Sequence, residues 1–168
     1  MPIAKRKHAT GKKPSRTGRR TGTVSPGRRA GAGGSPLVLV VDDYQDAREM
    51  YAEYLEFSGF RTEAACTGVE AVKKAFELRP DVVLMDLSLP VMDGWEATRL
   101  LKADAVTRGI PVVALTGHAL PCHAESARKA GCDAVVTKPC LPDVLVAEVR
   151  KALKRSSGEP SVRPKGGS

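Results

Sequence analysis

No apolar run in this 168-residue chain approaches the ~20 residues that a membrane-spanning helix requires, which excludes a bilayer-spanning helical protein. The N-terminus is basic but has no apolar segment behind its charges, so it is not a secretory signal. Its Arg- and Ser-bearing start has the composition of an organellar transit peptide without the apolar face of one. The four cysteines, Cys66, Cys122, Cys132 and Cys140, include no C-x-x-C pair. Neither a disulfide framework nor a zinc ribbon is indicated, and the thiols read as reduced in a cytoplasmic protein. A phosphate-cradling G-x-x-x-x-G-K-[ST] loop, a dinucleotide-binding G-x-G-x-x-G turn and a G-x-S-x-G nucleophile elbow are all missing.

Acids are missing from residues 1–36, which carry ten basic residues, seven glycines and four prolines. The only large apolar residues there are Met1, Ile3 and Val24. Such a segment cannot bury enough surface to offset its ordering entropy and is expected to be a disordered arm. With no aromatic among the charges, its contact with nucleic acid would be electrostatic and sequence-independent. Residues 156–168 are expected to form a second disordered tail. The whole chain carries +8, with 27 basic and 19 acidic residues, but residues 37–154 hold 14 basic and 18 acidic, a net −4. The basic character therefore belongs to the ends and not to the fold.

What is present is a set of short apolar runs that close on polar residues. Leu37–Val41 leads directly into Asp42 and Asp43. Val82 to Met85 ends at Asp86, with Ser88, Pro90 and Gly94 just beyond. Residues 110–115 end at Thr116 and Gly117, and residues 132–137 end at Lys138 and Pro139. A more polar run over 60–66 suits an edge strand. Length and β-branched content make the others buried strands. Between them, apolar residues recur at helical spacing. Residues 44–58 offer Ala47, Met50, Tyr51, Tyr54 and Leu55, ending at Gly59. A helix to Leu78 begins at Thr67, with Glu70 completing a capping-box pattern and Val69, Val72, Ala75, Phe76 and Leu78 apolar. Further helices are expected over 95–104, 120–129 and 141–155, the last with Leu141, Val144, Leu145, Val149 and Leu153 on one face. Five strands alternating with five helices predict an α/β fold, a parallel sheet covered on both sides.

In open α/β sheets, ligands bind at the carboxyl ends of the strands. Here those ends carry Asp42, Asp43, Asp86, Thr116 and Lys138. Carboxylates this close repel one another unless a cation intervenes, and oxygen-only donors favour Mg²⁺. Lys138 suits a phosphoryl oxygen or a carboxylate, and Thr116 can donate to the same group. Asp86 is the natural nucleophile, because Asp can form an aspartyl-phosphate. The set reads as phosphoryl transfer by positioning and charge neutralisation.

Val41-Asp42-Asp43, Leu84-Met85-Asp86 with Pro90 and Met92-Asp93-Gly94, Ala114-Leu115-Thr116, and Thr137-Lys138-Pro139 together resemble the receiver domain of two-component response regulators. The resemblance covers about 37–155 and is to the single-domain type, as in chemotaxis response regulators. It implies a flavodoxin-like, doubly wound five-stranded parallel sheet in the order 2-1-3-4-5 with five helices. It further implies Asp86 as phosphoacceptor, loaded by a sensor histidine kinase or phosphotransfer protein. Asp43, Asp86 and the Ser88 backbone carbonyl would hold Mg²⁺ directly, and Asp42 mainly through water. Lys138 would pair with the phosphoryl group beside a cis Lys138–Pro139 bond, and Thr116 would move in to bond it. Residues 120–154 would be the surface for a downstream protein.

Three positions depart from the family pattern. Val135 stands where an aromatic switch residue is usual, Gly117 where Ala is usual, and His118 where residues tune the lifetime of the phosphate. Two other functions compete with a phosphoacceptor that signals through protein contacts. One is a receiver whose arm over 1–36 binds nucleic acid as its output. The other is a metal-dependent phosphohydrolase. The chain is not expected to be a conventional enzyme beyond its own phosphotransfer and autodephosphorylation. A zinc site from His118, Cys122, His123 and Cys132 lacks a standard ligand spacing.

Overall fold

The computed structural model describes residues 34–117 and 121–158, without the side chains of 121–124. The arm up to residue 33, the tail from 159, His118, and the side chains of Cys122 and His123 therefore lie outside the described residues. The nucleic-acid reading of the arm and most of the zinc alternative lie outside them as well.

The described chain alternates strand and helix. Its elements are β1 Leu37–Val41, α1 Gln45–Phe57, β2 Arg61–Ala65, α2 Gly68–Leu78, β3 Val82–Asp86, α3 Gly94–Ala103, β4 Val112–Thr116, α4 Pro121–Ala130, β5 Ala134–Thr137 and α5 Pro142–Ser156. All strand pairs are parallel, in the order β2-β1-β3-β4-β5. This is the doubly wound, flavodoxin-like sheet, with the polar β2 at one edge as expected. Two strands begin later than the apolar runs that announce them. Pro111 separates the buried Ile110 from β4, and Asp133 separates Cys132 from β5, just after a turn at Gly131 (φ 99°). At that turn the Gly131 and Cys132 N–H groups bond back to Arg128 O and Ala127 O, closing α4 before the strand.

Alternation along the strands divides the core into two layers. Leu39, Val41, Val83, Met85, Val112 and Ala114 face Ala71 and Ala75 of α2, Ala97 and Leu101 of α3, and Ala127 of α4. Val38, Val40, Val82, Leu84, Val113, Leu115 and Val136 face Tyr51 and Leu55 of α1 and Leu145 and Val149 of α5.

The helix faces differ in part from the apolar spacing. On α2 the buried residues are Gly68, Ala71 and Ala75, while Val69, Phe76 and Leu78 are exposed. Small residues win there because α2 lies close to the α3 loop, where a Cβ on Gly68 would stand 2.5 Å from the Met92 carbonyl. On α1, Tyr51 and Leu55 are buried, and Met50 and Tyr54 are partly exposed. On α5, Val146 and Ala152 join Leu145 and Val149 inside, and Leu141 and Val144 face outward.

Candidate functional site

The carboxyl end of the sheet is assembled by ladder bonds that run one residue past the strands. Asp42 N–H donates to Ala65 O of β2 at 3.2 Å, and Leu87 N–H, just after Asp86, donates to Leu115 O of β4 at 3.0 Å. Lys138 N–H donates to Thr116 O at 2.7 Å. In register, Val41 lies beside Met85, Asp86 beside Leu115, and Thr116 beside Thr137. Four strand ends are thus held level with one another.

Strand alternation also sets which side chains meet. Asp42 continues the parity of Val38 and Val40, Asp86 that of Val82 and Leu84, and Lys138 that of Val136. All three belong to the α1/α5 side. The Lys138 ammonium donates to Asp42 Oδ2 at 2.6 Å and to Asp86 Oδ2 at 2.8 Å. Asp42 is 1 % exposed and Asp86 5 %. Burial works against the ammonium, but its bonds to Asp42 and Asp86 more than offset this and hold the Lys138 pKa above its usual value. The other carboxylate oxygens are engaged too. Asp42 Oδ1 accepts from Tyr44 N–H at 2.9 Å, and Asp86 Oδ1 accepts from Ser88 N–H at 2.9 Å.

Asp43 is exposed, and one oxygen each from Asp42, Asp43 and Asp86 lies within 4.8 Å of the others. Three carboxylates against one ammonium leave a surplus of negative charge, and the donors are all hard oxygens. That set fits Mg²⁺. Ser88 is exposed two residues beyond Asp86. Thr116 is 5 % exposed and shares the parity of Ala114, on the α2/α3/α4 side. The sheet therefore brings Asp42, Asp43, Asp86 and Lys138 together, and it sets Thr116 next to them by backbone with its side chain on the other parity. The Lys138–Pro139 peptide is cis, as the resemblance implied.

Three contacts at the site were not anticipated from the sequence. Arg48 donates from a guanidinium nitrogen to Asp42 O at 2.7 Å, fixing the turn between β1 and α1. Nothing in the sequence singles it out from its charged neighbours Asp46 and Glu49. Gly94 lies so close to β3 that a Cβ there would be 2.1 Å from Asp86 O. Tyr51 reads as core by spacing and is buried there, yet its hydroxyl also feels Cys140, Lys138 and Asp42. Burial and the neighbouring Cys140 push that hydroxyl up to about 12.

A doubly wound sheet whose carboxyl edge carries buried acids bridged by a lysine defines a class of phosphate-handling signalling domain. The chain belongs to the response regulator receiver domain family, whose sequence model matches residues 38–150. It is 40 % identical over 124 residues to the DNA-binding response regulator MtrA of Mycolicibacterium paratuberculosis, covering 74 % of this chain and 54 % of that protein. It is 39 % identical over 102 residues to the polar-differentiation response regulator DivK of Brucella anthropi, covering 61 % of this chain and 83 % of the relative. Among solved structures, the chemotaxis protein CheY4 of Vibrio cholerae superposes with a TM-score of 0.68 at 29 % identity, over 71 % of this chain and all of that one. The chain spans about half the length of the MtrA relatives it matches. It is a receiver of two-component phosphorelay signalling, and no described helix is long and apolar enough to cross a membrane.

Proposed function

We propose that Asp86 is the phosphoacceptor of a Mg²⁺-dependent receiver that takes its phosphoryl group from a histidine kinase or phosphotransfer protein. The observation that supports this best is the bridge from Lys138 to Asp42 and Asp86 inside a cluster of three carboxylates. An Asp86 oxygen forms the new O–P bond as the P–N bond of the donor phosphohistidine breaks, and the electron pair of that bond leaves with the imidazole. Lys138 orients Asp86 Oδ2 beforehand and then neutralises charge on the phosphoryl oxygens. The Ser88 N–H holds the other Asp86 oxygen in place. Thr116 crosses from its own side of the sheet to donate to a phosphoryl oxygen. Asp43, Asp86 and the Ser88 carbonyl would hold Mg²⁺, and Asp42 would act through water. Bound there, Mg²⁺ supplies charge neutralisation for the transferring phosphoryl group.

The domain proper is residues 37–155, working in the cytoplasm and turning over only its own phosphate. Its output is a protein that docks on residues 120–154, and His118 is a candidate for tuning the lifetime of the phosphate. The test is labelling with radioactive acetyl phosphate in Mg²⁺. Wild type takes up label and Asp86→Asn takes up none. Full labelling of Asp86→Asn would overturn the assignment.

A further inference from the structure

The turn between β1 and α1 carries two of the three clustered carboxylates. Tyr44, the N-cap of α1, makes no side-chain cap bond. Two bonds to Asp42 hold the turn instead. Tyr44 N–H donates to Asp42 Oδ1 at 2.9 Å, and Arg48 Nη1 donates to Asp42 O at 2.7 Å. Arg48 also closes the first turn of the helix, since its own N–H donates to Tyr44 O at 3.1 Å. The carbonyl that its guanidinium grips belongs to the peptide joining Asp42 to Asp43. Because a peptide is planar, fixing that oxygen fixes the direction in which the chain enters Asp43.

The two acids depend on that peptide unequally. Asp42 is 1 % exposed and its side chain is also held by Lys138. Asp43 is exposed, and among the described residues no hydrogen bond or ion pair holds its side chain. Its carboxylate is therefore aimed by its backbone, yet it has to stay within 4.8 Å of those of Asp42 and Asp86 for the three to share a cation. We propose that Arg48 is a positioning residue for the divalent cation, whose hold on Asp42 O keeps Asp43 facing Asp86 and so raises the affinity for Mg²⁺. Groups that orient a ligand without touching the metal govern affinity by roughly tenfold or more. Charge alone gives Arg48 the opposite effect, because a cation beside three carboxylates competes with a second one for them. The sign of the change on removing Arg48 thus separates positioning from charge.

This inference rests on the reading of the three carboxylates as the Mg²⁺ site of a phosphoacceptor, so Mg²⁺ binding by wild type is the control. The full chain is titrated with MgCl₂ at fixed ionic strength and without phosphodonor. Binding is followed by the NMR shifts of the Leu87 and Ser88 amides, which flank the site at Leu115 O and Asp86 Oδ1. Arg48→Met and Arg48→Ala remove the guanidinium and keep good helix formers at that position. In each the Kd for Mg²⁺ rises by about tenfold. Arg48→Lys keeps a charged donor on a long stem, and its Kd stays within about threefold of wild type. Asp43→Asn weakens binding by itself, and adding Arg48→Met to it weakens binding by less than about twofold more, since the group through which Arg48 acts is already lost. A Kd in Arg48→Met or Arg48→Ala that equals or falls below the wild-type value overturns the inference and leaves the Asp86 reading intact. So does a loss in Arg48→Lys as large as in Arg48→Met, or a full tenfold loss repeated in the Asp43→Asn background. A wild type that binds no Mg²⁺ overturns both readings.

Discussion

Lys138 reaches from the edge of the sheet to Asp42 and Asp86, whose side chains are 1 % and 7 % exposed, while its own is 23 % exposed. Carboxylates so buried are stabilised only by partners, and here one ammonium serves both. Lys138→Met removes that partner and leaves the acids facing one another. Without divalent cation the variant is expected to lose about 3 kcal/mol in denaturant unfolding, the lower end for a broken buried pair. Mg²⁺ recovers part of the loss, because the three carboxylates that would bind it remain. Labelling by acetyl phosphate falls by roughly a hundredfold or more, since charge neutralisation is lost where charge is transferred. Equal stability and equal labelling would contradict the role of Lys138. These residues were legible in the sequence because each polar group ends an apolar run, and burial of the run fixes where its last residue stands. Tyr51 was legible as core, but its nearness to the site was not. Spacing assigns a side to its ring but says nothing of where a hydroxyl ends up.

Helix starts carry the next level of control. Gly94 begins α3 directly against the end of β3, at a distance that admits no Cβ. Gly94→Ala is expected to destabilise the domain by about 3 kcal/mol and to slow labelling, since the displaced carbonyl belongs to Asp86 itself. Unchanged urea unfolding would contradict that packing. At the start of α2, Thr67 Oγ1 accepts from Glu70 N–H at 3.1 Å, as the capping-box pattern predicts. The return bond differs. Glu70 reaches one residue further, to Cys66 N–H at 2.9 Å, and also takes Lys74 as an ion pair at 3.0 Å. The bond from Cys66 N–H, with Lys74 and the Cys66 thiol, lowers the Glu70 pKa from 4.5 to about 2. A depressed carboxylate stabilises the fold above its unfolded value and loses that contribution as pH falls through its folded one. The gap in melting temperature between wild type and Glu70→Gln should be full above about pH 4.5 and close towards about pH 2. A gap constant across that window would rule out the charge as its source. Helix identity was legible from periodicity, and so was part of each buried stripe, Tyr51 and Leu55 on α1, Ala75 on α2, and Leu145 and Val149 on α5. The rest was not: at α2, where Gly68 lies against Met92, Ala71 is buried beside Ala75 while Phe76 and Leu78 are exposed.

Across the whole molecule, the period of two along each strand places the hydrophobic layers and the site together. The parity that buries Val40, Leu84 and Val136 against α1 and α5 brings Asp42, Asp86 and Lys138 to one point at the carboxyl edge. The other parity keeps Thr116 with the α2, α3 and α4 layer, so an event at Asp86 can be read on both sides of the sheet. Val135, in the position of the usual aromatic switch, is half-buried against that same layer, and a rotating ring is not available to carry the signal. In the proposed function, the apolar strand β3 presents one nucleophilic carboxylate, Asp86. Acetyl phosphate in Mg²⁺ followed by borohydride reduction converts an aspartyl-phosphate to a stable residue that peptide mass spectrometry can place. The reduced residue is expected at position 86, with its complete loss in Asp86→Asn. Reduced residue at Asp42 or Asp43 instead, or none in wild type, would contradict that role for Asp86.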